Sequence, residues 1–287
     1  MSGGEAAPAS RPPMPPGSCD CHLHVFGDLA GYPLRHPKSL YQIEPGWTMD
    51  AVNVLHADLG FDRYIAVQPT AYVKDHAFLI HQLAREPAGK AMGVAIVDDS
   101  VDDKMLERLH GAGVRGARFN FQSRFGLVPS FAEFHRTVER IRPLGWFIKI
   151  FFMEEFSLIE AEVRKAKITT IVDHLGPKQD FQAGVQQTDF RQMIDVIAGE
   201  NWWILLSNGH RRSAAGPPFD DIVDYGAALY ETAPQRSLWG TDWPHVTETR
   251  AVDEKANLDL LWRFLPDEAA WRNVLADNPA RLFELAQ

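Results

Sequence analysis

Four short stretches carry residues able to do acid–base or metal chemistry. Cys21-His22-Leu23-His24 sets two imidazoles two positions apart, and Asp173-His174 adjoins a carboxylate and an imidazole. Gly240-Thr241-Asp242-Trp243-Pro244-His245 adds a second of each, and the segment with Arg118, Asn120 and Arg124 is cationic. A spacing of two places both imidazoles of the first pair on one face of a strand. A carboxylate beside a scissile carbonyl can take a proton from water and return it to a leaving oxygen. Imidazole with carboxylate is also a donor set that suits zinc. A lone strand histidine is usually a hydrogen-bonded core residue. Three histidines and an aspartate on inward strand ends are another matter, because their desolvation serves no packing purpose.

These residues lie far apart in the chain, so the fold must bring them together. Short apolar runs rich in β-branched and aromatic residues predict eight strands, over 19–25, 63–70, 92–97, 114–121, 147–152, 169–175, 202–207 and 237–244. Helical spacing predicts helices over 48–59, 76–85, 101–112, 130–144, 157–165, 189–198 and 219–232, with one or two more in 266–285. Eight strands alternating with helices predict a single (β/α)8 TIM-type barrel with additional C-terminal helices. An open doubly wound sheet is the competitor, but no Gly-x-Gly-x-x-Gly follows the first strand. In a barrel the working groups sit at the C-terminal strand ends. There, strand 1 ends in His22 and His24, strand 4 in Arg118, strand 6 in Asp173 and His174, and strand 8 in Asp242 and His245. Segments 27–47 and 207–218 are long, Gly- and Pro-rich loops of the kind that carry function. Residues 1–18, rich in Pro, Ala, Ser and Gly, read as a disordered arm, which leaves 19–287 as the barrel domain.

Composition narrows the partners. Of 287 residues, 45% are hydrophobic and 23% charged, as in soluble globular proteins. Lys plus Arg is 29 against 38 for Asp plus Glu, a net charge of −9. An acidic chain without a basic cluster is a poor candidate for nucleic acid or an anionic membrane, and no apolar run is long enough to span a bilayer. Cys19 and Cys21 stand too close for an ordinary structural disulfide and read as small buried apolar residues. A reduced, cytoplasmic setting is therefore expected. The expected partner is a small anionic molecule. The terminal helices can pack on the barrel or on a second copy, which leaves a homo-oligomer open.

The same stretches resemble the amidohydrolase superfamily, and within it the amidohydrolase-2 group of lactone-processing enzymes. The likeness runs from about Cys19 to Phe283 and includes Gly116-Ala117-Arg118-Phe119-Asn120-Phe121, Ala215-Gly216-Pro217-Pro218 and Asp277-Asn278-Pro279-Ala280-Arg281-Leu282-Phe283. The resemblance implies a hydrolase opening a carboxylated lactone of the 2-pyrone-4,6-dicarboxylate type. It implies Asp242 as the base acting on water and His22, His24 and His174 as the groups polarising the carbonyl. It further implies Arg118, Arg124 and Arg211 (or its neighbour Arg212) on substrate carboxylates, which guanidinium binds through two parallel hydrogen bonds. His245 joins the substrate-binding set.

Two positions depart from the group's pattern. Phe151 stands where a tyrosine is expected, and Gly176-Pro177-Lys178 where an arginine is expected. Lys149, of the same strand parity as Phe151, and Lys178 are the cations able to stand in. The lysine of strand 4 and the histidine of strand 5 that binuclear members use are missing, so no metal is expected to be required. A single zinc or other divalent ion on His22, His24, His174 and Asp242 is the alternative. Other readings are a sugar-acid or muconolactone lactonase or isomerase, with or without zinc, and a zinc-dependent non-oxidative decarboxylase. In a different class stands a catalytically silent barrel kept as a binding module.

Overall fold

The structure, a computed structural model, describes residues 10–36, 43–44, 46–122, 128–151, 156–177, 184–248 and 251–284. Eight parallel strands follow in chain order: β1 (Cys19–Leu23), β2 (Arg63–Val67), β3 (Ala91–Ala95), β4 (Val114–Asn120), β5 (Phe147–Phe151), β6 (Thr170–Val172), β7 (Trp202–Leu205) and β8 (Ser237–Leu238). Each pairs with the next. The ring closes through backbone bonds from Cys21 to Trp239 (2.9 Å), Asp242 to His22 (2.8 Å) and His24 to Trp243 (2.7 Å). This is the (β/α)8 barrel that the alternating pattern predicts.

Helices α1 (Met49–Leu59), α2 (Ala77–Arg85), α3 (Asp103–Gly111), α4 (Phe131–Ile141), α5 (Phe156–Ala166) and α6 (Thr188–Ile197) lie between successive strands. A four-residue α7 (Gly209–Arg212) and α8 (Val223–Thr232) join β7 to β8; α9 (Glu254–Phe264), α10 (Glu268–Arg272) and α11 (Asn278–Phe283) follow β8. Local signals set several starts. Ser130 and Glu133 form a reciprocal capping box at α4, and the Asp102 carboxylate caps α3.

Strand alternation divides the core in two. Outward Ala117, Phe119, Ile148, Ile150, Val172 and Ile204 pack under the helices. Inward Ile65, Val67, Met92, Val94, Phe147 and Ile171 fill the barrel itself, together with Cys19 and Cys21, which are both free and buried. Gly116 is needed on β4 because Phe147 fills its space: a Cβ there would lie 2.5 Å from the ring.

β1 breaks the alternation. Its register with β2 shifts between Asp20 and Leu23. Cys21 joins the interior packing while the next residue, His22, also faces the axis. Asp20 points outward, where His56 of α1 approaches within 3.2 Å. The Asp20 carboxylate also accepts from the Thr241 amide (2.9 Å), the Thr241 hydroxyl (2.7 Å) and the His22 amide (3.2 Å). One buried carboxylate thus stitches β1 to the chain after β8.

Three expectations change. β8 ends at Leu238, not at 244, and the expected strand could not run past Asp242, whose φ is 60°. Helix α9 carries no expectation from the sequence; it is capped by Asp253, whose carboxylate accepts from the Lys255 and Ala256 amides. The arm read as disordered over 1–18 is in part laid on the barrel. Arg11 pairs with Asp259 at 2.8 Å, the Trp271 indole donates to the Pro13 carbonyl at 3.1 Å, and Ser18 is wholly buried. Residues 1–9 lie outside the described residues. Among the described residues no helix is long and apolar enough to cross a membrane.

The seam between β1 and β8 leaves no room at Gly240, where a Cβ would stand 2.4 Å from the His22 amide nitrogen and 2.9 Å from the Asp20 carboxylate. Gly240→Ala is expected to lose at least about 1–3 kcal/mol in equilibrium denaturant unfolding. A variant with an unchanged midpoint would show that the seam yields.

Candidate active site

The C-terminal ends of β1, β6 and β8 meet around one carboxylate. Asp242 Oδ1 lies 3.5 Å from His22 Nε2, 3.5 Å from His24 Nε2 and 3.7 Å from His174 Nε2. The two strand-1 nitrogens stand 3.4 Å apart. Its other oxygen, Oδ2, accepts from the Asn208 amide at 2.6 Å and lies 3.7 Å from Arg211 Nη2. His22, His24, His174 and Asp242 are all buried. The four residues expected to do the chemistry therefore converge.

The outer ring nitrogens fix what the inner ones can do. His24 Nδ1 meets the Val67 carbonyl at 2.8 Å. A carbonyl only accepts, so Nδ1 carries the proton and Nε2 is a bare lone pair. His22 Nδ1 faces the Asp173 carboxylate at 3.5 Å, beyond hydrogen-bond reach, and that nearby negative charge favours the proton on Nδ1. His174 Nδ1 shares a 2.9 Å bond with the Ser207 hydroxyl. Burial, reinforced by Lys149, pushes His22 down to about 4; burial and then Arg118 do the same to His24, also to about 4. His174 falls to about 3, mainly through burial. All three are neutral at pH 7. Burial alone would raise the Asp242 carboxyl, but His174, His22, Arg211 and His24 outweigh it and hold the group well below the usual carboxylate range.

The lone pairs of His22 and His24 and the Asp242 carboxylate thus converge on one point, with the His174 ring beside them. Their separations are too long for hydrogen bonds, yet four ligands about 2.0–2.1 Å from a tetrahedral ion stand roughly 3.3 Å apart. His22, His24 and Asp242 match that edge length, and so by geometry the donor set fits one divalent ion. The outer partners of the imidazoles are those that orient metal-ligating histidines. A second grouping, His22 with Asp173 and His174, is also close enough. There Lys149 already supplies the cation: its ammonium, 1% exposed, lies 2.8 Å from Asp173 Oδ1. Burial raises the Asp173 carboxyl, and Lys149 followed by His22 more than reverses it, so the group stays ionised.

The other expected residues divide. Arg118 is buried on β4, with Nη1 3.4 Å from the Gln68 carbonyl. Arg211, not Arg212, faces the centre: it donates to Thr247 Oγ1 (2.9 Å) and sits 3.3 Å from Glu248. Arg212 instead donates to the carbonyls of His174 (3.1 Å) and Gly176 (2.7 Å) and holds that loop. Lys149 is committed to Asp173 below the mouth. His245 turns its Nε2 to Glu254 of α9, 2.6 Å away, so that nitrogen is directed at a helix and not at a substrate. Phe151 sets its ring edge-on to His174, with centroids 5.6 Å apart. Arg124 and Lys178 lie outside the described residues.

The amidohydrolase family model matches residues 19–285. The chain belongs to the amidohydrolase family. A 4-sulfomuconolactone hydrolase of Rhizobium radiobacter is 33% identical to this amidohydrolase over 94% of this chain and 91% of its own. A 2-pyrone-4,6-dicarboxylate hydrolase of Comamonas testosteroni is 32% identical, over 94% and 91%. An apo crystal structure from Agrobacterium tumefaciens superposes with a TM-score of 0.84 at 27% identity, over 97% of this chain and 99% of that one.

Two residues of the site escape sequence reasoning. Asn208 occupies a loop where a single asparagine carries no pattern, and only its φ of 60° marks it. Glu254 opens the helix that the sequence did not suggest.

The depressed histidines set a pH dependence for the amidohydrolase. In the unfolded chain they titrate near 6.5, in the folded protein near 4, 4 and 3. Between those limits the unfolded state binds more protons, so stability is present above about pH 6.5 and lost as pH falls, by up to about 1.4 kcal/mol per unit for each histidine. Denaturant unfolding in chelator from pH 7 to 5 checks this. A flat profile would mean that the imidazoles are not held neutral.

Proposed function

We propose that this amidohydrolase hydrolyses the ring ester of a small anionic lactone. The observation that carries the reading is the ionised Asp242 Oδ1, enclosed and 3.5–3.7 Å from three neutral imidazoles. Asp242 accepts a proton from water as the water oxygen attacks the lactone carbonyl. The tetrahedral adduct carries its charge on the former carbonyl oxygen, where the polar groups of the mouth stabilise it. The carbon–oxygen ring bond then breaks, and Asp242 returns its proton to the leaving oxygen. One water is consumed, and the open hydroxy acid loses a proton at neutral pH.

His22, His24, His174 and Asp242 would hold a divalent ion. When bound, such an ion supplies Lewis-acid polarisation and lowers the pKa of water. The sequence favours chemistry without a required metal, whereas the converging lone pairs favour the ion.

The anionic substrate has a place to bind. A cavity of about 260 Å³ opens beside β4, lined by Thr70, Arg118 and Asn120, with Lys74 paired to Asp98 at 2.7 Å and Glu133 also on its wall. Thr70 Oγ1, Arg118 Nε and Asn120 Nδ2 are buried there with no hydrogen-bond partner among the described residues. Unsatisfied buried donors of this kind call for an acceptor, and a substrate carboxylate or sulfonate supplies one. The names of the relatives support the same class: one acts on a sulfonated muconolactone, the other on a pyrone dicarboxylate.

The deciding experiment combines metal analysis with hydrolysis of 2-pyrone-4,6-dicarboxylate, a muconolactone and aldonolactones, before and after chelation. Ring opening with proton release is expected, with one ion per chain and activity lost on chelation. Activity that survives chelation in metal-free protein would leave the work to Asp242 and the imidazoles alone. Carbon dioxide release would replace the lactonase with a decarboxylase. In either lactonase case Asp242→Asn is expected to lower kcat by about 10²–10⁴ in a folded protein. Arg118→Met is expected to raise KM about tenfold or more for a carboxylated lactone, with a smaller effect on a neutral one; an equal effect on both would remove Arg118 from the anion subsite.

A further inference from the structure

Asp242 carries the proposed chemistry on the oxygen that faces the imidazoles, yet its backbone bonds do not fix the plane of its carboxylate. It sits at φ 60° in the turn after β8, held by its amide to the His22 carbonyl at 2.8 Å. That bond places the backbone and leaves the side chain to rotate. The terminal torsion of an aspartate is broad, so an unrestrained carboxylate turns its plane over a wide range of angles. Arg211 Nη2, at 3.7 Å from Oδ2, is too far to hold it by a hydrogen bond. The Asn208 amide, at 2.6 Å from Oδ2, is within reach.

Asn208 is itself tightly placed. Leu206 bonds to Leu238 across the β7–β8 ladder at 2.8 Å, Ser207 holds His174, and the Asn208 carbonyl accepts from the Arg211 amide at 3.1 Å. The residue is buried and left-handed, at φ 60° and ψ 27°, a conformation that asparagine tolerates better than most side chains. Asp242 is an ionised acceptor, so the amide must turn its NH2 toward Oδ2. A charge-assisted bond of this length is among the stronger ones a neutral donor makes.

We propose that Asn208 is the positioning residue of the reaction: by holding Oδ2 it commits Oδ1 to the imidazoles and to the proton of the attacking water. The role rests on Asp242 acting as the base. It costs Asn208 no contact with substrate, so its loss should fall on kcat and spare KM.

The test compares Asn208→Gly with Asn208→Ala, on the full-length protein and the lactone that the wild type opens best. Glycine keeps the left-handed backbone without strain and alanine does not, so the pair separates the backbone from the amide. The expected result is a kcat lowered about ten- to hundredfold in both, with KM within about twofold, both variants less stable than the wild type for want of the amide, and Asn208→Gly the more stable of the two. A crystal structure of Asn208→Gly is expected to show the Asp242 carboxylate rotated or in two orientations. Wild-type kcat in Asn208→Gly would overturn the proposal, as would a raised KM at unchanged kcat. Asp242→Asn runs alongside. If it stays active, the base reading itself fails; if it is inactive while Asn208→Gly is not, only the role of Asn208 fails.

Discussion

Asp242 holds a negative charge away from bulk water, and the surrounding structure is arranged around that. Transfer of a lone carboxylate into a protein interior is prohibitive unless donors or cations meet it. Here one oxygen is met by the Asn208 amide, with the Arg211 guanidinium nearby, and the other faces three imidazole nitrogens. Because the outer nitrogen of His24 donates to the Val67 carbonyl and that of His22 faces the Asp173 charge, the inner ones bring lone pairs and not protons. The centre is therefore incomplete as protein alone. It needs an electropositive guest, which can be a water, a metal ion or a polarised substrate carbon. That need is the physical basis of the activity proposed for it.

Other buried acids share this treatment, each with its own counterpart. Asp173 has Lys149, Glu254 has His245 and Asn257, and Asp20 has His56 with Thr241. Their tasks differ. Asp20 draws the end of β1 against the turn after β8, so that His22 and Asp242 become neighbours although 220 positions separate them in the chain. Asp173 orients His22. Glu254 takes the far side of the Asp242 turn through His245, whose own amide bonds to the Asp242 carbonyl at 3.0 Å. Two left-handed residues in one turn are held from both ends, which is how strain at a working site is maintained.

How far this was readable in the sequence depends on the range of the interaction. The paired imidazoles of His22 and His24 are visible because strand geometry alone puts them on one face, and the alternation of strands and helices is enough to send them to the same mouth as His174 and Asp242. What fails is local geometry that breaks a period. The strand read through 244 stops at Leu238, and the residues that matter most there leave the extended conformation. Arg211 and Arg212 could not be told apart because they sit on a four-residue helix whose phase has no repeat to fix it. Lys149 has the right parity to point inward, but only the depth of Asp173 decides that it is an internal counter-ion and not a substrate ligand. Asn208 acts through a single bond made in three dimensions, which leaves no trace in spacing.

The division of labour around the ring bears on specificity. The chemistry draws on β1, β6 and β8, whose ends are tied together by buried ion pairs and backbone bonds. The cavity that holds Arg118 opens at β4, across the barrel from β8 in the strand order, and Arg211 rides on the loop after β7. In the proposed reaction, Arg118 and Arg211 are the cations offered to the substrate from different parts of the ring. Those contacts come from a strand end and a loop that do not form the β1–β8 seam. A substitution at Arg118 is therefore the one expected to change which anion is accepted while leaving Asp242 in place, since Arg211 lies 3.7 Å from its Oδ2 and a change at Asp20 or Gly240 reaches both the closure of the barrel and the base at once.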